Sequence, residues 1–248
     1  MSNILFTICG RAGSKGCKNK NIRNFLGKPL FEYTFQAIQE FNLHNDSEYK
    51  IVVSTDSPEF IEIVKSNHPD VCVVDREKSL SGDNVGKVDV IRDATKKAEK
   101  FFNQSFDYVI DLDITSPIRT AKNIKDALNL AISNPEYDCV FSVVKSRRNP
   151  YFNMIKYEKG VYSKVLESTF LTRQQAPQMY DMNASIYVYK KSFILDENIH
   201  SPLVGNNGII EMFDTGILDI DNAEDFELME HIAIFMRDHF EEYKNILY

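Results

Sequence analysis

Ile4-Leu-Phe-Thr-Ile-Cys9 runs straight into Gly10-Arg-Ala-Gly-Ser-Lys-Gly-Cys-Lys-Asn-Lys-Asn-Ile22. The first six residues read as a buried strand, and the glycine-containing segment after it reads as a loop leaving the strand's carboxyl end. Such a loop can turn successive backbone N–H groups into one concavity, and Arg11, Lys15, Lys18 and Lys20 add positive charge where a polyphosphate would sit. No acidic residue precedes Glu32, so nothing nearby in sequence neutralises the loop.

Further along, short β-branched runs alternate with helical stretches. Strands are expected near Lys50–Ser54, Val71–Asp75, Tyr108–Asp113 and Cys139–Val144, and helices near Phe31–Phe41, Pro58–Asn67, Val85–Phe102 and Ala121–Ser133. This alternation predicts an α/β chain with a parallel sheet wound by helices. Several strands close on polar residues: Ser54-Thr-Asp56, Asp75-Arg76 and Asp111-Leu-Asp113. In open α/β sheets the carboxyl ends face the ligand crevice, which brings these residues toward the basic loop. After Val144 the periodicity breaks. Residues 145–182 are rich in Tyr, Phe, Arg and Gln and read as an irregular or hairpin arm. Strand character returns at Ser185–Tyr189, Ile209–Phe213 and Thr215–Ile220. A helix from Ala223 toward Tyr243 follows, whose Phe226, Met229, His231, Ile232, Phe235 and Met236 are expected to face the core.

The loop is neither of the familiar phosphate motifs. Its order is Ser14-Lys15-Gly16, not Gly-Lys-Ser/Thr, and the G-x-G-x-x-G fingerprint is absent. Instead Arg11-Ala-Gly-Ser-Lys15-Gly, Lys20-Asn21-Ile and Gly27-Lys28-Pro29-Leu30 resemble the signature of the cytidylyltransferases that activate sialic acid-like sugars. Asp113-Ile-Thr-Ser-Pro-Ile-Arg119 resembles the family's mid-chain segment, and Asp219-Ile-Asp221-Asn-Ala-Glu-Asp225 its metal-binding segment. The resemblance implies a Rossmann-like nucleotidyltransferase, doubly wound on a mostly parallel sheet. It also implies that the 145–182 excursion is a dimerisation arm reaching a partner's active site.

Bulk properties agree. The 248 residues, 43% hydrophobic, suit one such domain, 1–248, with a small arm. A net charge of −7 argues against a general nucleic-acid binder and leaves the basic cluster for a small anion. The four cysteines offer no zinc spacing and fit a reducing cytoplasm. No signal peptide is expected at the N-terminus, and no apolar run is long enough to cross a bilayer.

The resemblance assigns roles residue by residue. Arg11 and Lys15 would take the β- and γ-phosphates of CTP and Lys20 the α-phosphate, with Ala12, Gly13, Ser14 and Asn21 completing the loop. Arg76 and the Ser81–Asn84 turn, Asp83 included, would line the cytosine pocket; ordinary turn chemistry is the alternative there. A triphosphate brings Mg²⁺, with Mn²⁺ as a substitute, and Asp219 and Asp221, two apart in a strand, would converge on one ion. Capping the following helix is their other available role. Asp221 is also the candidate proton acceptor from the sugar hydroxyl.

The acceptor half departs from the sialic acid members, which carry Gln where Asp113 stands and Arg-Pro where Asp181-Met182 precedes Asn183; Asp113 is a candidate sugar-binding residue, its carboxylate accepting a hydrogen bond from an amide N–H that sialic acid lacks. Lys145, Arg148 and Arg173 are candidates for the sugar carboxylate, offered within the subunit or across the dimer, and Tyr180 and Asn183 for its acyl or hydroxyl groups. The Asp-Leu-Asp-x-Thr-Ser-Pro string resembles the branch that activates legionaminic acid. The expected reaction is CMP transfer from CTP to a nonulosonic acid, legionaminic acid ahead of sialic acid. Another acceptor, such as 3-deoxy-manno-octulosonate, a non-catalytic nucleotide or sugar sensor, and a glycosyltransferase are the competing readings.

Overall fold

The computed structural model describes residues 2–13, 16–43, 48–82, 84–213 and 219–247. Ser14, Lys15 and Asp83 lie outside these residues, as does most of the strand expected at Thr215–Ile220. In chain order the elements are β1 (Ile4–Cys9), β2 (Asn24–Phe25), β3 (Lys28–Pro29), α1 (Glu32–Leu43), β4 (Tyr49–Thr55) and α2 (Pro58–Asn67). There follow β5 (Cys72–Asp75), α3 (Lys87–Phe102), β6 (Tyr108–Leu112), α4 (Ala121–Ser133), β7 (Cys139–Lys145), β8 (Ile155–Glu158) and β9 (Val161–Lys164). The chain ends with β10 (Tyr180–Lys190), α5 (Lys191–Leu195), β11 (Asn207–Glu211), α6 (Ala223–His239) and α7 (Glu241–Lys244).

Among the described residues one large sheet runs in the order β11-β7-β10-β6-β1-β4-β5. Its neighbours pair in parallel except β10, which is antiparallel to both β6 and β7. β1 lies inside the sheet, and the alternation of its side chains builds both layers. Ile4, Phe6 and Ile8 join one core with Phe35, Ile38 and Phe41 of α1, Ile124 and Leu128 of α4 and Phe226 and Met229 of α6. Leu5 faces the other, with Val88, Ile91, Ala94 and Ala98 of α3 and Ile194 of α5. Helices thus cover both faces, as expected of a doubly wound sheet.

The helix starts follow local chemistry. Ser57 accepts from the Phe60 N–H ahead of Pro58, and Thr120 and Asn123 form a reciprocal capping box, so α2 and α4 begin where the sequence predicts. β10 differs. It was expected at Ser185–Tyr189 and spans eleven residues, with a bulge between Met182 and Tyr187 and Ala184 at φ 52°. The extra residues close the base of the arm, where Tyr180, Asp181 and Met182 pair with Lys145, Val144 and Val143.

The arm itself carries the β8–β9 hairpin, which leaves Ile155, Tyr157, Val161 and Tyr162 exposed. The C-terminal helix also departs from expectation. It breaks at Phe240, whose backbone is extended, and His231 and Phe235 face solvent while Phe226, Met229 and Met236 are buried.

Candidate active site

The parallel neighbours of β1 determine what meets its loop. β1 ends at Cys9 between β4 and β6, so the residues after all three strands share one end of the sheet. A cleft of about 420 Å³ opens there. Cys9, Gly10, Arg11, Gly16, Lys20 and Asn21 line it from the loop, Asp113 and Thr115 from the segment after β6, and Asp219 and Asp221 from the approach to α6. Arg11 and Lys20 of the basic loop and Asp219 and Asp221 of the acidic segment, expected from opposite ends of the sequence to act together, are walls of one cavity.

The loop is held from inside. The Asn21 side-chain amide donates to the Arg11 carbonyl (3.1 Å), and Gly10 N–H donates to Ser54 (3.0 Å). Ala12 N–H donates to the Asp56 carboxylate at 2.6 Å. An acid therefore does sit on the loop, contrary to the reading from local sequence; it arrives because β4 lies beside β1. Gly13 has φ 72°, a conformation that favours glycine. Gly16 packs so closely on the acidic segment that an added Cβ would lie 2.0 Å from the Asp221 carbonyl oxygen.

Residues 219–221 are not a strand. Ile220 N–H donates to the Thr115 carbonyl (3.3 Å), and the Ile220 carbonyl accepts from the Lys20 ammonium. With the Ile220 side chain fully buried between them, Asp219 and Asp221 both line the cleft without a strand to align them. Asp221 does not cap α6. Asn222 is the cap, in a reciprocal box with Asp225, and the Asp221 carboxylate stays exposed 3.9 Å from Lys20. Although the Asp219 residue as a whole is exposed, its carboxyl turns in against Thr115, where desolvation and the neighbouring Asp113 carboxylate hold it above its usual range.

After β6 stands a charge cluster that sequence reading resolved only in part. Lys87 Nζ lies 2.6 Å from Asp113 Oδ2 and 2.8 Å from Asp111 Oδ2. Asp113 Oδ1 accepts from the Thr115 N–H (3.1 Å) and hydroxyl (2.8 Å), and Asp111 Oδ1 from the Thr7 hydroxyl (2.8 Å). Burial disfavours both charges, yet the pairing outweighs it: Asp113 sits well below the carboxylate range and Lys87 well above the lysine range. Arg119, fully buried, donates to the carbonyls of Asp113, Ser116 and Ser185 and so holds this turn against β10. Lys87 and Thr115 escaped the sequence reading. The available signal for Lys87 was a lysine opening a helix after Gly86, the end where the helix dipole disfavours a cation.

The other predicted residues lie elsewhere. Arg76 is buried one strand away from the cleft lining, its guanidinium on the Ser54 hydroxyl (3.1 Å) and carbonyl (2.6 Å). Asn183 is buried at the β10 bulge, accepting from Ser142 (2.6 Å) and donating to Met212 Sδ (3.3 Å), so its polar atoms are used within the fold. Lys145, Arg147, Arg148 and Arg173 line a second cleft of about 600 Å³ with Glu211, Met212 and Phe213. There Lys145 pairs with Glu211 (3.0 Å) and Arg173 donates to the Ser146 carbonyl (2.9 Å). Tyr180 is exposed beside Lys145 at the arm's base. No lining residue is common to the two clefts.

Among the described residues no three His, Cys, Asp or Glu side chains form a metal-binding group. A pair of carboxylates such as Asp219 and Asp221 still fits Mg²⁺, which commonly takes one or two carboxylates plus substrate phosphates and waters.

Comparison with known proteins follows the same line. The chain is 38% identical to the post-translational flagellin modification protein B of Campylobacter coli, over 94% of this chain and 95% of that one. It is 37% identical, over the same shares, to the CMP-N,N′-diacetyllegionaminic acid synthase of Campylobacter jejuni. The N-acylneuraminate cytidylyltransferase of Escherichia coli is 27% identical, with 92% of this chain matching 51% of its length. In fold, a CMP:2-keto-3-deoxy-manno-octonic acid synthetase solved with CTP superposes with a TM-score of 0.67 at 14% identity, covering 94% of this chain and 99% of that one. A 4-diphosphocytidyl-2C-methyl-D-erythritol synthase superposes at 0.62 and 12% identity, covering 93% and 98%. The sequence profile of the family described as cytidylyltransferase matches residues 5–246, and the chain belongs to that family.

Proposed function

We propose that this protein transfers CMP from CTP to the anomeric hydroxyl of a nonulosonic acid, with N,N′-diacetyllegionaminic acid as the favoured acceptor and sialic acid next. The observation that carries the reading is the cleft uniting Arg11, Lys20 and Asn21 with Asp219 and Asp221, in a chain 37% identical to a synthase of that CMP-sugar. In the reaction the sugar hydroxyl oxygen bonds to the α-phosphorus. The bond from that phosphorus to the β-phosphate bridge breaks, pyrophosphate leaves, and the hydroxyl proton passes to a base.

Little covalent work falls to the protein, so positioning and charge carry the catalysis. Lys20 would stabilise charge on the α-phosphate, Arg11 and Lys15 would hold the departing pyrophosphate, and Arg76 and Asp83 would line the base pocket. Asp221, exposed and free of capping, is suited to accept the hydroxyl proton. Mg²⁺, held by Asp219 and Asp221, would neutralise phosphate charge. Mn²⁺ could replace it.

The sugar carboxylate needs cations that the first cleft does not spare. Lys145, Arg148 and Arg173 line the second cleft, on the arm whose apolar hairpin residues are exposed. A homodimer in which the arm covers the partner's cleft would bury that hairpin and bring these cations to the acceptor. A cytoplasmic setting supplies CTP and keeps the four free thiols reduced. Among the described residues no helix is long and apolar enough to cross a membrane.

The test is pyrophosphate release with each of the four NTPs and Mg²⁺ against N,N′-diacetyllegionaminic, sialic and pseudaminic acids and 3-deoxy-manno-octulosonate. The expected result is a CTP-dependent signal, fastest with N,N′-diacetyllegionaminic acid. A faster rate with sialic acid would overturn the acceptor assignment. CTP binding without turnover across the panel would overturn the synthetase reading.

A further inference from the structure

Lys87 opens α3 at the end where the helix dipole disfavours a cation, and its ammonium is held there by two carboxylates, Asp111 at 2.8 Å and Asp113 at 2.6 Å. Asp111 lies entirely inside the protein, its other oxygen bonded to Thr7. Asp113 is the one of the two that lines the cleft, alongside Asp219 and Asp221. The Thr115 hydroxyl is in hydrogen-bonding contact with both Asp113 and Asp219. By position, then, Asp113 is a neighbour of the acids proposed to hold the metal. By bonding it is committed: Lys87 takes one oxygen, and Thr115 takes the other through its N–H and hydroxyl.

We propose that Lys87 keeps Asp113 out of metal coordination, so that the cation in this cleft is held by Asp219 and Asp221 and is completed by substrate phosphate instead of a third carboxylate. The proposal rests on the metal reading given above and deepens it. Hard divalent cations bind carboxylates more tightly as ligand charge accumulates. A third free carboxylate would therefore let the cleft fill with metal before CTP arrives and would add negative charge opposite the triphosphate. Lys87 prevents both by cancelling one charge and occupying one oxygen. It is a positioning residue, acting through Asp113.

The experiment measures Mn²⁺ binding by the loss of the free-ion EPR signal without CTP and, with CTP, by the loss beyond that caused by the same CTP in the absence of protein. Removing Lys87 alone would leave Asp111 buried and unpaired, a strongly destabilising change. The working variant is therefore Lys87→Met with Asp111→Asn, in which the asparagine oxygen still accepts from Thr7; circular dichroism checks its fold. Wild type is expected to bind Mn²⁺ weakly alone and tightly with CTP. The double variant should bind Mn²⁺ without CTP at least about tenfold more tightly, and adding Asp113→Asn should reverse the gain.

A folded double variant with unchanged CTP-free affinity would overturn the proposal. So would Asp113→Asn in the wild-type background, if it weakened Mn²⁺ binding with CTP as much as Asp221→Asn does; unchanged affinity there supports the proposal even if the double variant does not fold. Wild type that binds no Mn²⁺ even with CTP would overturn the metal reading as well, and is distinguishable because it needs no variant.

Discussion

Gly16→Ala should separate the two walls of the cleft without unfolding the protein. A Cβ at position 16 would stand 2.0 Å from the Asp221 carbonyl oxygen and 3.1 Å from its carbon. Carbon–oxygen contacts settle at about 3.3 Å or beyond, so the loop and the acidic segment must part by about 1.3 Å. The obstacle is backbone, held on one side by the Thr115 carbonyl and on the other by Lys20, so no flexible side chain can swing away. A displacement of about 1 Å between catalytic groups costs on the order of 10²-fold in rate. That corresponds to about 2.7 kcal/mol of barrier.

The global cost should be smaller, about 1–3 kcal/mol for local overpacking. At about 2–4 °C per kcal/mol for a chain of this size, the fall in Tm should lie between about 2 and 12 °C. The assay is pyrophosphate release at saturating CTP and sugar, beside a thermal melt. Gly27→Ala, outside the cleft, is the control. It pays about 1–2 kcal/mol for a positive φ, but its Cβ would meet nothing within 4 Å, so the walls stay together. A Gly16→Ala enzyme keeping kcat within about threefold of wild type would refute the reasoning, because uniform-binding effects alone leave kcat unchanged.

Lys20→Ala should lower turnover by about 10²–10³-fold, as expected for losing a preorganised charge on the reacting group; unchanged turnover would remove Lys20 from the α-phosphate. Cys9, although it lines the cleft, should resist iodoacetamide at pH 8, since burial and then Asp111 push its thiol pKa upward; mass spectrometry showing labelling as fast as free cysteine would contradict this. Despite burial, Lys87 holds the Asp113 carboxyl at about 2. Being depressed, that group contributes stability above its unfolded value of about 3.9 and loses it as pH falls toward 2. Lys87, raised, contributes below about 10.4 and loses it only as pH climbs through its higher folded value. The pair is thus constant between about pH 5 and 9. The Asp113 carboxyl carbon should show a flat ¹³C shift over that window, and a midpoint above about pH 4 would contradict the pairing.

How much of this was legible beforehand follows from how far apart the interacting residues are in sequence. β1, α2 and α4 could be read at their observed limits because the information is local: an apolar run, Ser57 before Pro58, and a Thr120 cap. The basic loop and the Asp219–Asp221 pair were also visible, each as a short motif. The Asp56 bond to the loop was not, because it depends on β4 lying beside β1. Lys87 is invisible for the same reason, since it meets Asp111 of β6 only once α3 packs on the sheet.

β10 was read too short because the Asn183-Ala184 bulge interrupts its alternation, while Asn183 supports that bulge from inside. His231 and Phe235 follow the helical spacing of α6 closely enough to suggest core, but α6 is a surface helix whose buried stripe is narrow: Phe226, Met229, Ala233 and Met236.

The most direct test of the central claim, that the cleft between the loop and the Asp219–Asp221 segment is where CMP is transferred, is ³¹P NMR of CTP, Mg²⁺ and N,N′-diacetyllegionaminic acid with wild type and Asp221→Asn. The account predicts equal amounts of pyrophosphate and a sugar phosphodiester from wild type and almost none from the variant, whose fold is retained. Product formed by Asp221→Asn at the wild-type rate would contradict it.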